Sequence, residues 1–196
     1  MSNDAIVILN GARTPMGGFQ GALKDLSATD LGATAIKAAV ERSGVSVDNI
    51  DEVIMGCILT AGLGQGPARQ AMRKAGLSDA TGAVTINKLC GSGLKAVMQA
   101  HDGIKAGSFN VAVAGGMESM TNAPYLMPGS RGGYRMGHKE VKDHMFLDGL
   151  EDAETGKLMG MFAQEMANEK GYTREQMDEF AIESLNRALT AIKDGH

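Results

Sequence analysis

Apolar and polar positions in the first part of the chain switch between two periods. Ala5–Asn10 is a continuous apolar run closed by Asn10-Gly11, the pattern of a short buried strand. Between Thr29 and Ser43, Leu31, Ala35, Ala38 and Ala39 recur at helical spacing, with Thr29 or Asp30 as the N-cap and Gly44 past the end. Glu52–Cys57 reads as strand, Ala68–Ala75 as a helix stopped by Gly76, and Ala83–Leu89 as strand again. Gly93–Ala106 has a helical pattern halted by Gly107, and Asn110–Ala114 is a further buried strand. Strand and helix in strict alternation predict an α/β layer with largely parallel pairing.

The pattern breaks after Gly116. Met117–Gly137 contains Pro124, Pro128 and the glycines 129, 132, 133 and 137, with Arg131 and Arg135 between them. That is loop chemistry, and it is longer than an ordinary connection, which points to a functional or interface segment. A strong helix follows at Arg174–Ile192, capped by Thr173. Residues 1–137 hold 12 basic and 10 acidic side chains, whereas 138–196 hold 7 and 13, so the second part reads as a separate, solvated helical subdomain.

Composition narrows the class. A chain of 196 residues fits one domain or one plus an appendage. At this length about 70% of the unfolded surface can be buried, so no disulfide or structural metal is needed. The net charge of −4 argues against a general nucleic-acid binder. No stretch approaches the ~20 apolar residues of a membrane-spanning helix, and the run at residues 5–9 is too short for a signal-peptide core. The two cysteines, Cys57 and Cys90, fit no metal spacing and by default imply a reducing, cytoplasmic setting. With 27 glycines, 14 methionines and no tryptophan, the chain favours close backbone approach and adaptable apolar pockets, which suits a small-molecule site.

Cys90 is where chemistry concentrates. In Ile86-Asn87-Lys88-Leu89-Cys90-Gly91-Ser92-Gly93-Leu94-Lys95 it stands between an apolar strand and a helix. A thiol there faces free N–H groups and the positive end of a helix dipole, a setting in which cysteines act as nucleophiles. Gly91 and Gly93 remove side chains that would keep a substrate carbonyl from the backbone, and the Cys90 N–H is placed to donate to a developing oxyanion. The competing reading is an inert buried cysteine. Cys57 lacks such flanks and reads as core. The Gly62-x-Gly64-x-Gly66 run lacks the spacing of a dinucleotide fingerprint. The histidines, at 101, 138, 144 and 196, read as surface residues.

These residues carry a family resemblance. Asn87–Val97 resembles the active-site segment of the thiolases, the acyl-CoA acetyltransferases. Four other segments agree in order and spacing: Ala12–Phe19, Gly62–Gln70, Gly115–Pro124 and Asp148-Gly149-Leu150. Glu118-Ser119-Met120 and the run into Cys90 favour thiolases over the ketoacyl-synthase-like condensing enzymes. The resemblance implies a thiolase-type layered α/β fold, N-terminal half, over residues 1–118, followed at 119–196 by part of a mostly helical loop domain. It implies that Cys90 becomes acylated, either by acetyl-CoA in Claisen condensation or by a 3-ketoacyl-CoA in thiolysis, with CoA thioesters as substrates and no cofactor or metal. Leu150 falls at an apolar CoA contact and Met159 at the acyl pocket. Leu158 stands where many short-chain members carry a histidine. Arg131, Arg135 and His138 fall in the loop through which thiolases form oligomers (dimers or tetramers) and attract anionic CoA.

The Gly-Gly-His-Pro, Asn-Glu-Ala-Phe and Cys-x-Gly-Gly-Gly motifs of the thiolase second half do not occur in the sequence. The expectation is a nucleophile without its base, poorly active or inactive alone, and a half-core with an exposed apolar face. A truncated assembly subunit and a redox-responsive thiol protein are the competing functions.

Overall fold

The computed structural model describes residues 5–195, which leaves His196 outside the described residues. Contacts divide the chain into two compact units, residues 1–149 and 150–196. The boundary expected at 118 lies within the first of them.

The first unit is built on a three-stranded parallel sheet. Its strands are β1 (Glu52–Gly56), β2 (Gly82–Ile86) and β3 (Ala112–Gly116), in the order β2-β1-β3. Glu52 pairs with Gly82 on one side and with Ala112 on the other, and both ladders run in register to Gly56. The central strand is the most buried, and Val53, Ile54 and Met55 are all but removed from solvent. Side chains alternate between the faces. Val53 and Met55 join one core with helices α1 (Ala28–Ser43) and α2 (Pro67–Lys74), while Ile54 packs on the other face with Ala96 and Ala100 of α3 (Ser92–Ala106). Helices on both faces are what a parallel sheet requires.

Helix α1 begins earlier than its sequence suggests. Ser27, not Thr29 or Asp30, is the N-cap, and it forms a capping box with Asp30: the Asp30 N–H donates to Ser27 Oγ, and the Ser27 N–H to Asp30 Oδ2. The buried stripe is also a different one. Ala28, Gly32, Ala33, Ile36 and Val40 face the core, whereas Leu31, Ala35, Ala38 and Ala39 are only half-buried. Small residues win that face because α1 packs closely on α2, with Gly32 near Ala71 and Met117.

Lys74 Nζ on α2 reaches Asp30 Oδ1 (2.6 Å) and Thr29 Oγ1 (2.8 Å), joining the two helices. That ammonium, followed by the Ser27 hydroxyl and N–H, holds the Asp30 carboxyl at about 2. Because its folded value is lowered, its contribution is complete above the ordinary value near 4 and is lost as pH falls toward 2. Asp30→Asn is therefore expected to flatten the acid limb of a stability-against-pH curve in that window. Urea midpoints between pH 5 and 2 measure it.

One predicted strand does not form. Residues 5–10 run without a ladder partner among the described residues, and Val7, Ile8 and Leu9 are 65, 83 and 57% exposed. Their apolar sequence is that of a sheet strand, but among the described residues β3 has no neighbour on its outer side.

After β3 the chain becomes irregular. A two-stranded antiparallel pair, β4 (Tyr125–Leu126) with β5 (Lys142–Asp143), closes the glycine-rich loop, and a π-helical turn follows at Phe146–Leu150. The second unit comprises helices α4 (Met159–Lys170) and α5 (Arg174–Asp194). Thr173 caps α5 through a capping box with Gln176, as its sequence position suggests. The unit is helical but not polar-faced throughout: α5 buries none of its residues, and Phe180, Leu185, Leu189 and Ile192 all stand exposed. Among the described residues, no helix is long and apolar enough to cross a membrane.

Candidate active site around Cys90

Between β2 and α3 the chain reverses over five residues, and the polar side chains in the turn fix its shape. The Asn87 carboxamide oxygen accepts the Leu89 N–H (2.9 Å). Ser92, nearly buried, accepts the Lys88 N–H on its hydroxyl (2.8 Å) and donates to the Leu89 carbonyl (2.6 Å). Leu89 takes a left-handed conformation, φ 48°, which costs a branched residue about 1–2 kcal/mol. The Ser92 bonds on either side of it hold that conformation. The outcome is that Cys90 is exposed immediately before the first turn of α3. The α3 N-cap is Gly91, which offers no side-chain acceptor, so the positive helix end is left for a group in front of it.

The turn sits tightly against the sheet. A methyl group on Gly56, at the end of β1, would lie 2.5 Å from Ser92 Cβ, 2.7 Å from the Ser92 carbonyl carbon and 2.9 Å from the Gly93 nitrogen. Only a residue without a Cβ lets α3 start this close to the strand ends.

Cys90 opens onto a cavity of about 710 Å³. Three segments singled out in the sequence meet there: Ala12–Phe19, the Cys90 turn, and Gly116–Thr121. The segment after β3 holds the chain that directly follows the first of these, residues 20–26. Thr121 Oγ1 accepts the Gln20 N–H (2.9 Å), and Asn122 Nδ2 donates to the Lys24 and Leu26 carbonyls (both 2.9 Å).

Glu118 is a site residue that the sequence reading used only as a family marker. Its carboxylate accepts the Ile58 N–H (2.7 Å) and the Leu59 N–H (3.2 Å), fastening the chain leaving β1 to the chain leaving β3. The Cys57 thiol points to the same carboxylate at 3.6 Å. Burial first, and then this negative charge, push the Cys57 thiol up to about 12, so it is inert at neutral pH. The two cysteines of one cavity are thus sharply different: Cys57 is buried, as its sequence context suggests, and Cys90 is exposed.

The histidine expectation fails at His144, which is buried. Its Nε2 accepts the Ala61 N–H (3.3 Å), so the proton is on Nδ1, which donates to Asp148 Oδ2 at 2.6 Å. The His144 N–H donates to the Pro124 carbonyl (3.2 Å). The ring joins the loop at Ala61 to Asp148, and the backbone of the same residue adds the loop at Pro124, which places His144 in the interior. His101 and His138 are exposed, as expected. The Gly62–Gln70 segment serves the fold. Gln70 Nε2 donates to the Leu63 and Gln65 carbonyls and Arg69 to the Thr81 carbonyl, fixing the start of α2, where Pro67 takes the first position.

Arg131 lies in a 3-10 turn (Ser130–Gly132) of the glycine-rich loop, and Arg131, Arg135 and His138 are all solvent-exposed. Leu150 closes the π-helical turn, half-buried. Leu158 is the N-cap of α4 and Met159 its first residue, 42 and 46% exposed, and Leu158 bridges back to Glu151. Among the described residues, no three His, Cys, Asp or Glu side chains are grouped so as to hold a metal ion.

Residues 6–196 match the family "Thiolase, N-terminal domain". The chain belongs to the thiolase family. An acetyl-CoA acetyltransferase of Cupriavidus necator is 53% identical to this thiolase domain over 190 residues, covering 97% of the chain and 48% of that relative. The acetyl-CoA acetyltransferase of Escherichia coli is 50% identical, covering 96% of the chain and 48% of its own length. An Ascaris suum thiolase crystallised in complex with coenzyme A superposes with a TM-score of 0.91 at 40% identity, over 96% of this chain and 49% of that one. The thiolase domain described here therefore spans about half the length of the relatives it matches, and the layered α/β fold is the thiolase fold.

Proposed function

We propose that this thiolase domain carries the acyl-accepting part of an acetyl-CoA acetyltransferase, with Cys90 as the residue acylated. The observation that carries the reading is the placement of Cys90: exposed, ahead of α3, on a cavity walled by the Ala12–Phe19 and Gly116–Thr121 segments. The names of the relatives support acetyl-CoA and CoA as substrate and product.

In the proposed step the Cys90 sulfur attacks the carbonyl carbon of acetyl-CoA. Negative charge gathers on the carbonyl oxygen, where N–H groups at the start of α3 are suited to receive it. The bond from carbon to the CoA sulfur then breaks. Cys90 is left as an acetyl thioester, and the thiol proton ends on the departing CoA. A thioester intermediate divides a difficult Claisen condensation, or its thiolytic reverse on a 3-ketoacyl-CoA, into two easier steps. Removing a proton from the second acetyl group needs a positioned base, which we assign to the half of the relatives' length that this chain does not cover. The chain alone then stops after the first step.

The proposed division of labour follows the boundary that the resemblance implies. Residues 1–118 carry the nucleophile. Residues 119–196 carry Leu150 and Met159 for CoA and the acyl group, Leu158 in place of a substrate-touching histidine, and Arg131, Arg135 and His138 for oligomer contacts and attraction of anionic CoA. Two unpaired thiols support a reducing, cytoplasmic setting.

The test is the release of CoA. Mixed with excess acetyl-CoA, the chain is expected to liberate up to one CoA per chain in a single burst and then stop, and Cys90→Ala is expected to liberate none. A burst of equal size from Cys90→Ala, or none from the folded wild type, removes the reading.

A further inference from the structure

His144 is a titratable side chain, only 6% exposed, and both of its ring nitrogens are engaged. On one side Nδ1 donates to Asp148 Oδ2 (2.6 Å), and on the other Nε2 accepts the Ala61 N–H (3.3 Å). The segments joined in this way also meet through apolar packing. A Cβ on Gly62 would stand 3.7 Å from Pro124 Cγ, and one on Gly149 would stand 3.4 Å from Leu59 Cδ2. Apolar contacts are non-directional and tolerate sliding, whereas the ring fixes one arrangement. The same segments wall the Cys90 cavity. Ile58, three residues before Ala61, and Met145, next to His144, both line it. The Ile58 N–H donates to Glu118 Oε2 (2.7 Å) and the Met145 N–H to Asp143 Oδ1 (2.8 Å). Each wall residue is thus tied on its own side, and the imidazole ties the two sides to each other.

The two ring bonds respond in opposite ways to a proton. Neutral imidazole has one donor and one acceptor, and this ring uses both. A second proton goes to Nε2 and turns the acceptor into a donor that faces the Ala61 N–H. That bond is lost, and a part-buried N–H is left without its acceptor. The bond to Asp148 becomes an ion pair and tightens. The other titratable or charged groups on the packed segments are Asp143 and Lys142 on the stretch of His144 itself, with Lys142 paired to Glu140, and Glu118 and Tyr125 on the chain around Pro124. Residues 58–66 carry none. The cation therefore stays with Asp148, and the segment at Ala61 is the one released.

We propose that His144 is a positioning residue whose grip depends on its proton. Neutral, it holds residues 58–61 against the Met145 side and keeps that wall of the Cys90 cavity closed. Protonated, it keeps Asp148, lets Ala61 go and opens the wall. The proposal rests on the reading of this cavity as the acyl site, and it concerns access to the Cys90 thiol rather than its acylation. It gives the buried imidazole a role that a residue of fixed charge or an apolar one at the same place could not fill.

The test is a titration of the folded chain from about pH 8 to about pH 5, the interval in which a histidine ordinarily changes charge. Nitrogen NMR shifts of the His144 ring and of the Ala61 amide are expected to follow one shared transition. His144→Gln offers Ala61 a side-chain oxygen that does not titrate, and its Ala61 amide is expected to show no transition. Access to Cys90 is read with a dithiodipyridine, which labels thiols in acid as well as at neutral pH, while Cys57 is buried and does not compete. The wild-type labelling rate divided by that of His144→Gln at each pH removes the ionisation of Cys90 itself. That ratio is expected to rise about threefold on going from pH 8 to pH 5. A ring that stays neutral throughout, a ring that titrates without the Ala61 amide, or a labelling ratio independent of pH overturns the proposal. If His144→Gln does not fold, the wild-type ring and amide titrations decide alone. None of these readouts uses acetyl-CoA, so failure here and failure of the acyl reading are told apart.

Discussion

Gly56→Val is expected to unfold or severely loosen the first unit, and Gly56→Ala to cost it about 1–3 kcal/mol as an overpacked contact. The reason is geometric. Any Cβ at Gly56 meets Ser92 and the Gly93 nitrogen at 2.5–2.9 Å, and two of those three contacts are backbone atoms with no rotamer to move into. The start of α3 must retreat from β1, and Cys90 moves with it. Urea denaturation gives the stability change. Iodoacetamide labelling of Cys90 in folded Gly56→Ala reports whether the turn has shifted. An alanine variant of unchanged midpoint would mean that α3 and β1 are further apart than described.

The second large effect is expected at Glu118. Glu118→Ala leaves the Ile58 and Leu59 N–H groups without their acceptor, each in a partly buried place, for a combined loss of about 2–4 kcal/mol. Glu118→Gln keeps a carbonyl oxygen for one of them and is expected to lose about half as much. The pair of variants also has a chemical signature. With the carboxylate gone, the part of the Cys57 shift due to its charge disappears while the burial part remains, so the thiol falls only part of the way from about 12. Stability above pH 9 carries the sign: a thiol raised on folding costs stability as pH climbs through the unfolded value. Glu118→Gln should therefore lose less stability than wild type between pH 9 and 12. Equal alkaline slopes would show that the charge does not act on Cys57.

Local signals were read well from the sequence, and distant ones were not. The strands expected at 52–57 and 110–114 form at Glu52–Gly56 and Ala112–Gly116, and α1 and α3 end at the expected glycines, because short runs and caps are set within a few positions. The Ser27 cap is equally local, three residues ahead of Asp30 in a capping-box pattern, although the apolar periodicity begins only after it. The buried face of α1 was not legible, because small residues are chosen there by the approach of α2. Cys90 stood out because its glycine-flanked turn is local. Glu118 and His144 did not, since their partners lie about 60 and 83 residues away in sequence. Residues 5–10 are the instructive case. Their apolar run predicts a strand, but among the described residues they have no ladder partner, and no local pattern could tell that.

The central claim is that Cys90, and not Cys57, receives an acetyl group from acetyl-CoA. Intact mass of the folded chain before and after incubation with acetyl-CoA, followed by peptide mapping, tests it most directly. The account predicts a gain of about 42 Da confined to the peptide containing Cys90 and absent from Cys90→Ala, the mass of one acetyl group replacing a thiol proton. An adduct on Cys57, or a folded chain that takes up no acetyl group at all, would contradict it.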